Sequence, residues 1–180
     1  MKNALIAVAF VVTFLAGSAS AAGVALLTPI AIDPEAHLPD KAREECRVDY
    51  QLEANILDAM RHYDPQVQTT TDASSGRVLK VVISYVLGTG GGSWTGPKVI
   101  AVRLDLLNGG KVEYSTKMHR RSSLFGPMSG TCHLLDGASK GLGKLVAKWV
   151  QRPKTSTVDE EGEADVAHPA ASEPASAPAN

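Results

Sequence analysis

Two periodicities divide the chain. Across Arg77–Leu87, 99–107 and Lys111–Arg121 apolar side chains recur at every second position, the spacing of half-buried β-strands, whereas at 41–63 and beyond Thr131 they recur every third or fourth position, as on amphipathic helices. In the first strand Leu79, Val81, Ile83, Tyr85 and Leu87 are expected on one face and Val78, Lys80, Val82, Ser84 and Val86 on the other. The second sends Ile100, Val102, Leu104 and Leu106 inward against outward Arg103 and Asp105. Asn108-Gly109-Gly110 then marks a tight hairpin, because both central residues of such a turn favour positive φ. The returning strand carries Val112, Tyr114, Thr116 and Met118 on one face and Lys111, Glu113, Ser115, Lys117 and His119 on the other.

Over 41–63, at about 100° per residue, Cys46, Tyr50, Leu52, Ile56, Leu57 and Met60 share one side, with Asp49 and Glu53 intruding on it. Asp40 is the expected N-cap, and Asp64-Pro65 the stop. The second helix, from about Thr131 to Pro153, has the stripe Leu135, Ala138, Leu142, Leu145, Val146 and Trp149. Gly137, Gly141 and Gly143 lower its propensity; either they permit close packing or they are simply tolerated. Ahead of the first helix, 26–32 is an apolar run broken by Thr28-Pro29, which suits an edge strand because proline donates no ladder hydrogen bond. A short β-prone run at 67–71 and the turn residues at 72–76 complete the order. The resulting expectation is an α+β fold: a mixed, mostly antiparallel sheet with two helices packed on one face.

The first 21 residues have the form of a secretory signal, with Lys2, an apolar run from Ala4 to Ala16 and small residues at Ala19-Ser20-Ala21, so the mature chain is expected to begin at Ala22. The apolar run is shorter than the roughly 20 residues of a membrane span. Leu15-Ala16-Gly17-Ser18 has the shape of a lipobox with serine where the lipidated cysteine would stand, which favours a soluble periplasmic or secreted protein. In that oxidising setting Cys46 and Cys132, the only cysteines, are expected to form one disulfide joining the N-terminal ends of the two helices.

Composition adds limits. Of 180 residues, 44% are hydrophobic, enough for one core, and a net charge of −1 excludes a strongly basic nucleic-acid binder. The charge is unevenly divided. Residues 22–153 carry 16 bases and 13 acids, whereas 154–180 has Lys154 against Asp159, Glu160, Glu161, Glu163, Asp165 and Glu173 in an Ala/Pro/Ser-rich context expected to be a disordered tail. That tail is read either as a solubilising segment or as an acidic arm that masks a basic face.

No residue pattern dictates a reaction. Gly91 and Gly96 have phosphate-loop spacing, but Pro97 precedes Lys98 and a strand follows in place of a helix. Ser93 lacks the second glycine of a nucleophile elbow. His37, His62, His119, His133 and His168 form no pair at metal-ligand spacing within one element. No catalytic residue, metal or cofactor is therefore assigned. The candidate contacts are Trp94, a tryptophan on a glycine-rich tip, and the basic cluster Lys117, His119, Arg120 and Arg121. Each has an ordinary alternative: the indole folding back over its hairpin, and the bases as solvated guards against strand pairing.

The element order resembles small envelope accessory domains of Gram-negative bacteria, namely the amino-terminal domain of TolB, the curli-secretion lipoprotein and activator lipoproteins of penicillin-binding proteins. The resemblance lies in Leu27-Thr28-Pro29-Ile30-Ala31-Ile32, Val81-Val82-Ile83-Ser84-Tyr85-Val86-Leu87, the hairpin from Val102 through Asn108-Gly109-Gly110 to Val112, and Gly141-Leu142-Gly143-Lys144-Leu145-Val146-Ala147. It implies a non-catalytic periplasmic protein that binds another envelope protein. The alternative is an immunity protein or inhibitor of a toxin or cell-wall hydrolase.

Overall fold

The computed structural model describes residues 23–88, 97–122 and 130–155. Trp94, the signal segment and the acidic cluster of the tail lie outside them. The strands are β1 (Ala25–Leu27), β2 (Ala31–His37), β3 (Thr69–Thr70), β4 (Arg77–Leu87), β5 (Val99–Asn108) and β6 (Lys111–Arg121); the long helices are α1 (Val48–Tyr63) and α2 (Thr131–Gln151), with a π-helical turn at Lys41–Glu45. All six strands form one sheet in the order β3-β1-β4-β5-β6, with β2 also on β4. β4, β5 and β6 are antiparallel, while β1 and β2 run parallel to β4. One face carries both helices, as the periodicity predicts.

The run at 26–32 departs from expectation. It is two strands separated by a cis Thr28–Pro29 peptide, both on the same side of β4, and β1 is interior because β3 pairs on its far side. Proline is excluded from the ladder by breaking the strand in two; of these two strands, β2 is the one with no further partner on its outer side among the described residues. Glu53, which intrudes on the apolar side of α1, accepts the Ile30 N–H at 3.1 Å in this linker.

The helix expected over 41–63 is also broken. Cys46 and Arg47 separate the π-helical turn from α1, with Arg47 at φ 47°, in the left-handed region. Val48, Leu52, Ile56 and Met60 form the buried stripe, and Ala42 and Cys46 are buried too. Cys46 stands two residues from Val48, about 200° around a helix, so no unbroken α-helix can turn both inward. The break also explains Tyr50, expected inside and found 59% exposed with the Arg47 guanidinium 4.0 Å from its ring centroid. Asp40 is not an N-cap: its backbone is already helical and its side chain makes no capping bond, while Ala42 and Arg43 donate to the Pro39 carbonyl.

The hairpin has its expected turn, Gly109 and Gly110 both at positive φ. Two bulges shift the strands. Ser84 is an extra residue between the Ile83–Val102 and Tyr85–Ala101 pairs, so the alternation reverses there: Val86 joins the core and Tyr85 is exposed. Glu113 is extra between Leu107–Val112 and Leu106–Tyr114, which leaves Val112 in solvent. The core closes between sheet and helices through Leu79, Ile83, Ile100, Leu104, Leu135 and Leu142. Leu145, expected in the α2 stripe, is 38% exposed.

Candidate binding face

The helices cover one side of the sheet; three of the candidate contacts lie on the other, and Trp94 is outside the described residues. Counting outward from the core positions Tyr114, Thr116 and Met118 of β6, the alternation puts Lys117, His119 and Arg121 on the open side. Arg120 lies on the helix side, where a Cβ at Gly141 of α2 would fall 2.9 Å from its Nε. The basic cluster read along the sequence is thus divided between two faces.

Register adds residues that single strands do not reveal as neighbours. Lys80, Asp105 and Ser115 form one cross-strand row; Val82, Arg103 and Lys117 the next; Tyr85, Ala101 and His119 a third; and Leu87, Val99 and Arg121 the last. His37 of β2 stacks on Tyr85 with ring centroids 5.9 Å apart, extending the third row across the sheet. Asp105, 8% exposed, accepts the Ser115 hydroxyl at 2.7 Å and lies 3.6 Å from Arg103. Glu113 is 3.9 Å from Arg77. Four bases, Lys80, Arg103, Lys117 and Arg121, therefore share the β4–β6 part of this face with the already engaged carboxylate of Asp105, while Asp33 and Glu35 of β2 alternate with Ala31 and His37 on the same side. Alternation already places Arg103 outward with Asp105 and Lys80 on the face opposite Leu79; their rows depend on register, which no single strand encodes.

The predicted disulfide forms at the opposite layer. Cys46 and Cys132 are bonded with Cα atoms 4.9 Å apart, so α1 and α2 run side by side in the same direction from this clamp. Further along, Asn55 Nδ2 donates to Ser139 Oγ at 2.9 Å and to Asp136 Oδ1 at 3.3 Å, and Lys140 Nζ lies 2.7 Å from Asp136 Oδ2. Burial pushes the Asp136 carboxyl up, but hydrogen bonds from Lys140 and Asn55 and the charges of Lys140 and His133 outweigh it, leaving the group below its ordinary value. A groove of about 540 Å³ opens beside these residues, lined by Asp58, His62, Tyr63 and Lys144 among others.

Lys98, on the side of β5 that alternates with Ile100 and Val102 rather than on the open face, is a buried charge that sequence reasoning missed. It is only 1% exposed at the start of β5, and burial pushes its ammonium below the ordinary lysine value. Its backbone is tied to Ser122 twice: the Lys98 N–H donates to Ser122 Oγ at 3.0 Å, and the Ser122 N–H donates to the Lys98 carbonyl at 2.7 Å. Nothing in a lone lysine at a strand start signals burial. Among the described residues no group of three or more His, Cys, Asp or Glu side chains could hold a metal ion, and no helix is long and apolar enough to cross a membrane.

The class defined so far is an α+β domain with a mostly antiparallel sheet, helices on one face, one disulfide and an open basic face. No protein-family model matches the chain, and no curated protein matches it. Among solved structures the chain is similar to the PelC dodecamer from Paraburkholderia phytofirmans, at 19% identity over 69% of this chain and 86% of that one, with a TM-score of 0.46. A point variant of that dodecamer in a second crystal form gives 18% identity, 73% and 88% coverage and a TM-score of 0.47. A candidate lipoprotein from Caulobacter crescentus CB15 is 14% identical over 59% of this chain and 85% of that one, with a TM-score of 0.32.

Proposed function

We propose that this chain is an exported, non-catalytic accessory protein that binds another protein of the bacterial envelope through the open face of its sheet. The observation that carries the reading is the set of cross-strand rows by which Lys80, Arg103, Lys117, His119 and Arg121 share the sheet face opposite the helices. Four fixed positive charges beside exposed aromatic rings suit a partner with an acidic, partly apolar surface. The disulfide fits a periplasmic or secreted location, as does the signal-like start of the sequence. The resemblance to TolB-like and curli-secretion domains agrees with this reading, and Trp94 is a second contact on the same account.

The test is affinity capture from periplasmic extract, comparing the wild-type protein with Lys117→Ala/His119→Ala/Arg121→Ala and with Trp94→Ala. The retained protein is identified by mass spectrometry and its binding remeasured with the pure partner. An envelope protein whose affinity falls at least tenfold in the triple variant supports the reading. Tight one-to-one inhibition of a toxin or cell-wall hydrolase would favour the inhibitor alternative. Capture unchanged by every substitution would remove the face from consideration.

A further inference from the structure

We propose that the outer edge of β6 takes up an extended acidic segment of a partner protein as an added strand, a mode of capture that rests on the proposed function and says how the partner is held. The two sides of the sheet end differently. On one side β3 is two residues long, and β2 carries Pro34 between Asp33 and Glu35 and shifts its register against β4 between Ile32 and His37. Short strands, proline, charge and irregular register all keep an edge from pairing. On the other side β6 is the last strand among the described residues. It has no proline, and beyond the bulge at Glu113 the eight residues Tyr114–Arg121 pair with β5 without interruption. Such a stretch turns alternate backbone N–H and C=O groups outward, a template for one more strand.

The core is also unfinished along this edge. Tyr114 and Met118 pack against it only partly buried, and Leu145 of α2 is 38% exposed. Leu145 falls beside them. Leu135 borders Gly88, next to the row Leu87–Val99–Arg121, whereas Val150 lines a pocket with Arg77, in the row Arg77–Asn108–Lys111, so α2 runs opposite to β6. Arg120 lies against Gly141. One turn further along α2, about 6 Å, brings Leu145 level with Met118, which is roughly 6.6 Å from Arg120 along β6. A strand laid beside β6 would send alternate side chains beneath α2, against Leu145, Met118 and Tyr114, and bury what is now half exposed. Its other side chains would extend the rows of Ser115, Lys117, His119 and Arg121 on the open face. Charge selects the occupant. Tyr114–Arg121 holds Lys117, Arg120 and Arg121 and no carboxylate, so a second copy of β6 would set like charges side by side. A segment in which acids alternate with apolar residues matches both faces, and the bases that discourage self-pairing favour it.

The experiment titrates the full-length 15N-labelled protein with the end-blocked octapeptide Glu-Val-Glu-Val-Glu-Val-Glu-Val, followed by amide resonances and hydrogen exchange. Binding is expected, with the amides of Tyr114–Arg121 that point away from β5, one in two, becoming protected. An isomer with its glutamates in one block should bind about tenfold more weakly, as should the alternating peptide to Lys117→Glu/Arg121→Glu. Leu145→Gln, at an exposed position, should weaken binding about threefold. Backbone methylation reads the mode directly. Alternate N–H groups of an extended strand point to opposite sides, so N-methyl groups on the glutamates or on the valines should abolish binding, but only one of the two sets. No binding of the alternating peptide would overturn the proposal, as would β6 amides already protected in the free protein in a concentration-dependent way, the mark of a second copy on the edge. Equal binding with either set methylated and no new protection on β6 would mean docking by charge across the face, which overturns the added strand and leaves the proposed function standing.

Discussion

Gly143 of α2 stands against the backbone of Asn55 in α1: a Cβ at position 143 would lie 2.6 Å from the Asn55 carbonyl oxygen and 2.9 Å from its carbonyl carbon. Backbone cannot swing aside as a flexible side chain can. Gly143→Ala should force the helices apart and destabilise the fold by about 1 to 3 kcal/mol, despite alanine's better helix propensity. Gly137, with open space where its Cβ would be, should behave in the opposite way, Gly137→Ala gaining up to about 1 kcal/mol. Urea denaturation of the two variants reads both signs.

The disulfide closes a loop of 86 positions. Chain entropy for a loop of that length corresponds to about 4.6 kcal/mol, so Cys46→Ala/Cys132→Ala should lose a large part of a typical domain's stability. Thermal unfolding with and without reductant measures it: the wild-type Tm should fall on reduction, and that of the double variant should not move.

Asp136 gives a pH dependence whose sign follows from its lowered carboxyl value. In the folded state the group is more acidic than in the unfolded chain, where it titrates near about 3.9. Its stabilisation is therefore complete above the unfolded value and disappears as pH falls through the folded one. Asp136→Asn should be less stable than wild type at neutral pH, and the difference should close below about pH 4. Denaturation midpoints from pH 7 to pH 2.5, roughly the span of these ionisations, would show it.

Asp105 is the structural carboxylate of the open face, almost buried between Arg103 and Ser115. Asp105→Ala would leave the Ser115 hydroxyl without its acceptor and should destabilise by about 1 to 3 kcal/mol. It should also tighten any interaction of the face with an anionic partner, because one negative charge is lost among four positive ones. Arg103→Ala would work against such binding. Calorimetric titration with an acidic peptide distinguishes the two.

The extent to which the sequence discloses this molecule depends on what kind of information each feature needs. Periodicity located β4, β5, β6, α1 and α2 because each buries a repeating stripe, and Asn108-Gly109-Gly110 announced its turn through local backbone preference. The cysteine pair was legible through compartment and helix position. What failed is tertiary. The bulge at Ser84 that sends Val86 inward has no signature in a run of alternating residues, and the break at Arg47 arises from the demand that Cys46 and Val48 face the same way. The basic cluster was seen as a run along β6, but its division from Arg120 and its extension to Lys80 and Arg103 are products of sheet register.

The common direction of α1 and α2 has an electrostatic consequence. Parallel neighbours place like ends of their macrodipoles together, each end carrying roughly half an elementary charge. Antiparallel packing would relieve that opposition, and here a covalent bond holds the two positive ends side by side at Cys46 and Cys132. The two negative ends consequently lie near Tyr63 and Gln151, close to where the chain leaves the domain at Lys154. Arg61 in the last turn of α1 and Lys148 in the last turn of α2 stand in that negative potential, so basic side chains at the far end of the pair offset part of the opposition.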